Sequence, residues 1–519
     1  GQDELFAISG AYSQAVSDNM NARIAISKQQ NNGFVKNAFL QRDDTNGIDE
    51  TGLRVTLDYA ASPAHKVRLT GIHSYIDNGY DAFSLENDNI TISDEPGQDR
   101  AKANALSVLS TTQTEWGQYQ LSAATALTES LYSYDEDWTF AGYHPDPMLF
   151  YSAVDAYFRD RDYVTVEAKV MSVQDLEQLH WVTGLQYKKA EEQLTRQYTY
   201  ADSDFNSEYQ PEQLSLYAQV NWPVASQWLL ETGIRAERFD LEYADSNGFV
   251  ESQSDTLVGG KLGVSHFRDD STFYASLSRG YKVGGFNPNE QVSASQRIFD
   301  AEYNWNAELG YKYATTTTQV RLAVFRMERK DTQISDFAVL SSEGNAVQFI
   351  DIIDNADNGV NQGAELEWRF TPGNAVSFGA DIGYLDARFS GYTNAMGDFV
   401  ASQRQAQSPR HTFHLFMDAD LSETWRAYLA FEGKSSARFS DGHDAINPSY
   451  SVFNANFTKD VGPYEISFWV NNLLDEVYYS RGFGGFNNDP FDGFDQTMPE
   501  EYFQFANGRR AGITVNATF

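Results

Sequence analysis

The sequence predicts an all-β protein: a transmembrane antiparallel up-and-down β-barrel of about 22 strands, about 21 of them in this chain. Three observations carry that reading. The chain closes on a strand with one apolar face, since Ala511, Ile513, Val515, Ala517 and Phe519 alternate with Gly512, Thr514, Asn516 and Thr518. No apolar run approaches the length of a membrane helix, yet 14% of the residues are aromatic, a surplus that girdles at two membrane interfaces would use. Candidate strands are joined alternately by short turns and long loops, as when all turns lie at one end of a barrel and all loops at the other.

The closing strand, Arg510 to Phe519, resembles the last strand of a bacterial outer-membrane barrel. In lipid such a strand has to bond to the first one, because hydrocarbon offers no water to an open edge. From the start of the chain, Ile8 to Val16 and Met20 to Gln29 flank the turn Ser17-Asp18-Asn19, and a polar loop runs from Gln30 to Glu50. Gly52 to Ala60 and Lys66 to Ile76 flank Ala61-Ser62-Pro63-Ala64, with the acidic stretch Asp77 to Asp99 behind them. Arg100 to Thr111 and Trp116 to Tyr134 repeat the pattern.

Tyr163 to Val173 and Leu179 to Glu191 are joined by Gln174 to Gln178, and Gln213 to Trp222 and Trp228 to Tyr243 by Pro223 to Gln227. Thr256 to Phe267 and Thr272 to Ser278 flank Arg268-Asp269-Asp270-Ser271, while Glu302 to Tyr313 and Gln319 to Thr332 flank a Thr-rich turn. Val360 to Phe370 and Ala375 to Phe389 flank Thr371-Pro372-Gly373-Asn374. His411 to Leu421, Trp425 to Ser435, Tyr450 to Lys459 and Glu465 to Val470 lead to the closing strand. Roughly ten residues per strand suffice for a tilted crossing of the bilayer. No linker-like block interrupts the series, so residues 1–519 read as one barrel domain.

The odd count has a consequence, because single-chain bacterial barrels have an even number of strands. With Phe519 at the periplasmic end, Ile8 to Val16 descends and Gly1 lies outside, so one ascending strand is expected from elsewhere. Nothing at Gly1 resembles a signal peptide, as in a mature protein or a fragment. Cysteine is absent, which removes disulfides, zinc-thiolate sites and cysteine catalysis. A formal net charge of -35 argues against nucleic acid, whose phosphates need clustered Lys and Arg. The acid can line a polar lumen or sit on outer loops where divalent cations could bridge it to lipopolysaccharide, and generic solubility accounts for it equally well.

Several stretches together resemble the barrel of a TonB-dependent outer-membrane receptor. They are Ser278-Arg279-Gly280-Tyr281-Lys282-Val283-Gly284-Gly285-Phe286-Asn287, Ala307-Glu308-Leu309-Gly310-Tyr311-Lys312 and Asn361-Gln362-Gly363-Ala364-Glu365-Leu366-Glu367. Near the end come Asn454-Ala455-Asn456, Val470-Asn471-Asn472-Leu473-Leu474-Asp475-Glu476-Val477-Tyr478-Tyr479 and Phe519. The resemblance implies active uptake of a scarce, bulky nutrient, most commonly a ferric siderophore, with oligosaccharide, haem or cobalamin as alternatives. It implies an N-terminal plug in the lumen, gripped by TonB of the TonB–ExbB–ExbD complex, and an ascending strand after the plug. Neither plug nor TonB-binding segment is found in this sequence, so a separate plug and first-strand fragment is an expected partner. Lipopolysaccharide, outer-membrane lipids and a surface lipoprotein complete the expected partners, in the outer membrane of a Gram-negative bacterium. A passive porin or a surface scaffold barrel is the reading from another class.

Ligand-binding candidates sit in the outer loops. They are Tyr281, Phe286 and Asn287 in the first matching stretch, and Phe486, Phe491, Asp492, Phe494 and Asp495 in the last loop. Aromatics interleaved with carboxylates can stack on a ligand and accept its hydrogen bonds, or can fold into a mini-core of the loop itself. Asp351, Asp354 and Asp357 fall in a presumptive loop from Gln348 to Val360 without the spacing of a calcium loop. The eight histidines are scattered, and His411 and His414, three apart on a strand, face opposite sides. No nucleophile elbow, zinc helix or phosphate-cradling loop is present, so neither an enzyme nor a cofactor or metal is expected.

Overall fold

A computed structural model of the chain describes residues 3–80, 83–173, 179–288, 292, 296–340, 348–394, 398–487, 498 and 500–519. Its main sheet contains 22 strands, one of which is the two-residue segment Gln403–Arg404, leaving 21 long ones. In chain order these are β1 (Phe6–Ser17), β2 (Met20–Asn31), β3 (Ile48–Ser62), β4 (His65–Tyr80), β5 (Gly97–Gln113), β6 (Gly117–Asp135) and β7 (Val154–Ser172). They continue as β8 (His180–Tyr198), β9 (Phe205–Ala225), β10 (Trp228–Asp245), β11 (Val250–Arg268), β12 (Ser271–Lys282), β13 (Glu302–Ala314) and β14 (Thr318–Leu340). The last seven are β15 (Gln348–Phe370), β16 (Val376–Ser390), β17 (His411–Ser422), β18 (Trp425–Lys434), β19 (Tyr450–Val461), β20 (Tyr464–Asn471) and β21 (Arg510–Ala517).

Each long strand pairs antiparallel with its neighbour in the chain, the up-and-down order expected from the turn and loop pattern. The short turns hold because their residues tolerate left-handed backbone. Asp269 has φ 47° between β11 and β12, and Gly462 has φ 60° between β19 and β20. The turn expected at Gln174 to Gln178 lies outside the described residues.

Alternation fixes which side chains meet lipid. Across six strands Ala275, Leu309, Val324, Ala364, Tyr384 and His411 are successive cross-strand partners and so share one face. Leu309, Val324 and Tyr384 on that row are strongly exposed, as are Leu262, Ile382 and Leu415. Large apolar groups that face outward along a continuous belt are the lipid face of a barrel wall. The opposite face carries charge, with Arg369 pairing with Asp381 at 2.6 Å and Lys261 with Glu231 at 2.7 Å.

Three departures from the sequence reading are informative. Strands run past the bilayer at their outer ends, where β14 and β15 reach 23 residues each. The stretch Gln348 to Val360, expected to be a loop, is therefore mostly strand: Ile352 lies opposite Asp336 and Asp354 opposite Ile334. Ile334 and Ile352 are buried there, which supplies the packing that the acidic composition concealed. The wall also accommodates Pro211 inside β9, opposite Leu241.

The first and last strands descend toward the same end, and among the described residues no ladder joins them. All twelve residues of β1 are exposed. Ala7, Ser9, Thr514 and Asn516 line a common cavity of about 540 Å³, and Arg510 Nε donates to Asp3 Oδ2 at 3.0 Å at the outer end of the seam.

Ile382 lies on the lipid face opposite Leu366 and Phe413. Ile382→Arg should cost about 2–4 kcal/mol, the range for a cation at the bilayer midplane, in denaturant unfolding of the vesicle-inserted barrel followed by tryptophan fluorescence. Thr412→Arg, one position from Phe413 and on the other face, should change the midpoint little.

Candidate binding surface in the outer loops

Three outer loops, 81–96, 136–153 and 472–509, converge on one aromatic cluster of Phe83, Trp138, Phe486 and Tyr502, all buried. The Trp138 ring is the hub, 5.0 Å from Phe83, 5.1 Å from Tyr502 and 5.8 Å from Phe486. Its position follows from the local sequence Asp135-Glu136-Asp137-Trp138. Asp135 Oδ1 accepts from the backbone N–H groups of Asp137 (3.1 Å) and Trp138 (3.0 Å), and Trp138 takes φ 62° in the resulting turn. In the last loop, Tyr479–Phe486 and Glu500–Phe505 form a hairpin that presents Phe486 and Tyr502 to the tryptophan.

Polar clasps hold the loops in place. Asn87, from loop 81–96, donates to Glu501 O at 2.9 Å and accepts from Phe503 N–H at 2.7 Å. Asn37, from loop 32–47, donates to Ser93 O at 2.8 Å, and Phe39 stacks on Phe140 at 4.6 Å. Ser93 in turn donates to Asp135 Oδ2. A fourth loop thereby joins the other three.

Around that contact the carboxylates of Asp94, Asp135 and Asp137 each bring an oxygen within 4.8 Å of the others. Among the described residues this is the group whose donor set would suit an oxygen-seeking cation. Burial, and then the Asp137 charge, raise the Asp135 pKa, and the same causes push Glu136 up to about 8. Burial outweighs the bonds that favour the charged forms, which Ser93 Oγ donates to Asp135 and the Ala153 N–H to Asp137.

Of the residues expected to bind ligand, Phe486 is 1% exposed inside this cluster. Phe286 is buried in a second cluster with Phe239, Leu241, Tyr243 and Leu257, and half-buried Tyr281 packs against it. Asn287 has its amide fully engaged: Nδ2 donates to Gln296 O (2.6 Å) and Ile353 O (2.8 Å), and Oδ1 accepts from Ile353 N–H (2.9 Å). In this conformation the three buried residues brace loops and do not line an open surface. Tyr281, Phe286 and Asn287 belong to one cluster region and Phe486 to another. Phe491, Asp492, Phe494 and Asp495 lie outside the described residues.

The sequence reading missed a cavity of about 380 Å³ between loops 32–47, 81–96 and 472–509. Phe34, Tyr80, Tyr478, Phe503 and Phe505 line it together with the amides of Asn46, Asn89 and Gln504. Aromatic faces with amide donors and acceptors can stack on a ligand and fix its orientation. Arg481 lies over the Phe483 ring at 4.9 Å and donates to the Tyr80 hydroxyl at the same edge.

An up-and-down wall of this strand count, with a lipid belt and packed outer loops, defines a large barrel of the bacterial outer membrane. Residues 11–473 match the family described as TonB dependent receptor-like, beta-barrel, and the chain belongs to that family, whose home is the outer membrane of Gram-negative bacteria. The pesticin receptor of Yersinia enterocolitica is 26% identical over 220 residues, which cover 40% of this chain and 31% of that protein. The chain thus spans about a third of the length of such curated relatives. The crystal structure of the ferric yersiniabactin uptake receptor FyuA from Yersinia pestis superposes with a TM-score of 0.84 at 17% identity, over 100% of this chain and 78% of that one. The siderophore receptor PiuA from Acinetobacter baumannii gives 0.79 at 14% identity, over 99% and 80%. At these identities the likeness concerns the fold.

Trp138→Ala removes the hub of the cluster, a truncation of the kind that costs about 3–5 kcal/mol in a packed core. Limited proteolysis of the folded barrel should then cut loops 81–96, 136–153 and 472–509 at least severalfold faster, while heat-dependent gel mobility, which reports the wall, stays as in the parent.

Proposed function

We propose that this chain is the barrel of a receptor for active uptake of a scarce, bulky nutrient across the outer membrane, with a ferric siderophore as cargo. The observation that carries the reading is the convergence of outer loops on one aromatic core beside an aromatic- and amide-lined cavity, at the mouth of a barrel of transporter size. The names of similar proteins, a ferric yersiniabactin uptake receptor and a siderophore receptor among them, support iron over other cargoes.

In this reading ligand first meets the loops. Aromatic faces such as Phe34 and Phe503 stack on it and the neighbouring amides orient it. Passage through the lumen is driven by TonB–ExbB–ExbD pulling on a plug, and an ascending strand belonging to the plug-bearing segment completes the seam between β1 and β21. The seam's geometry supports that arrangement, since two descending edges can share one ascending strand and cannot pair antiparallel with each other.

Cells relying on this receptor should accumulate radiolabelled iron from one ferric siderophore class, and deletion of the energy-transducing protein should abolish accumulation. Accumulation that persists without TonB, together with steady conductance of the purified barrel in planar bilayers, would make it a passive pore. Denaturing mass measurement of every polypeptide in the purified receptor should find a plug-bearing segment with a strand of alternating hydrophobicity, joined to or retained with this chain.

A further inference from the structure

The outer end of the wall at β16 carries an arrangement that the transport reading does not use. Along the lipid-facing parity of β16, Phe378, Ile382 and Tyr384 give way to Asp386 and Arg388. Ten residues separate Phe378 from Arg388. At the rise of a tilted strand that is about the 25 Å height of a barrel's apolar belt. Arg388 therefore stands at the level of the outer-leaflet headgroups.

The next row of cross-strand partners at that level reads Arg279, Trp305, Glu328, Val360, Arg388 and Arg404. Arg388 and Arg404 lie directly opposite in the ladder, a placement that like charges disfavour unless an anion joins them. Arg410 closes the group, its guanidinium 3.9 Å from Asp386, to which Arg388 is bonded at 3.2 Å. Two guanidiniums thus share one carboxylate and that of Arg404 stands beside them without one, in a chain whose net charge is -35.

Arg404 is the sharpest feature. Its Nε and Nη2 are shut off from solvent and have no hydrogen-bond partner among the described residues. Burial, and then the Arg410 charge, lower its pKa from the ordinary arginine value. Guanidinium N–H groups left without acceptors are costly, and a tetrahedral oxyanion is the partner their fork geometry fits. The Arg388 and Arg410 side chains are 42% and 44% exposed, so the cluster opens outward through them, with Arg404 beneath.

We propose that Arg388, Arg404 and Arg410 form a binding site on the outside of the barrel for the phosphate of an outer-leaflet lipid headgroup, with lipid A as the source. A phosphate seated between Arg388 and Arg410 gives Arg404 an acceptor to turn to and removes the repulsion across the ladder. Tyr384 and His411, two rows below on the same face, lie beside the first acyl carbons. The proposal rests on the outer-membrane placement of the wall and is independent of cargo.

The test uses the purified, delipidated receptor and native mass spectrometry in mixed micelles that contain bisphosphorylated lipid A. The parent should retain the lipid, and R388Q/R404Q should bind about tenfold more weakly, as loss of charge-assisted pairs predicts. Dephosphorylated lipid A should bind the parent as weakly as the variant binds the intact lipid. Arg321→Gln, which breaks the pair with Glu367 near the other end of the wall, should bind like the parent and serves as the control for general loss of charge. Heat-dependent gel mobility certifies that each variant is folded. Equal retention by parent and double variant overturns the site. Equal retention of the dephosphorylated lipid, or inorganic phosphate bound as tightly as lipid A, overturns the lipid assignment.

Discussion

Inside a bilayer every backbone N–H and C=O has to find its partner within the protein, and that requirement organises this molecule. It forces the chain into long antiparallel ladders, makes each strand a near neighbour of the next, and turns the period of two into a division between lipid and lumen. Leu309, Val324 and Tyr384 face outward because their ladder partners do, and Arg369 and Asp381 face inward for the same reason. The same requirement explains the seam. Two edges that descend side by side cannot pair antiparallel with one another, and a cavity lies between Ser9 and Thr514 where the two meet.

Beyond the membrane the constraint changes. Water can satisfy the backbone there, so the outer extensions persist only where side chains pack. Ile334 and Ile352 hold the upper hairpin of β14 and β15, and Tyr392 reaches Asp336 at 2.7 Å to join it. Trp138 serves the same purpose for loops that are far apart in sequence. The loops are therefore built as a second small protein on top of the wall, with its own aromatic core and its own clasps at Asn37, Asn87 and Asn287.

What was legible in the sequence follows from this division. Strand order, turn positions and facing were readable because they depend on neighbours within a few residues, as at Asp269 or in Arg510 to Phe519. Strand ends were less so, because the extension from Gln348 to Val360 depends on burial against Ile334 and not on its own acidic composition. Residues singled out for binding were drawn from family-like motifs and from aromatic density. Asn287 and Phe486 instead meet partners 66 residues away or in other loops, which no local pattern reveals. The arginine group escaped notice for the same reason: Arg388 and Arg404 become neighbours only when the ladder is drawn.

The upper hairpin of β14 and β15 has a consequence for how the cell surface is seen from outside. From Lys330, at the headgroup level, to Leu340 the strand continues for ten residues, a rise of about 33 Å along its length. It extends beyond the lipid, so an antibody, a phage fibre or a bacteriocin approaching through the surface sugars can meet this two-stranded ribbon directly. Because Asn287 bonds both backbone groups of Ile353 on that ribbon, a partner that grips the ribbon also pulls on the loop behind it.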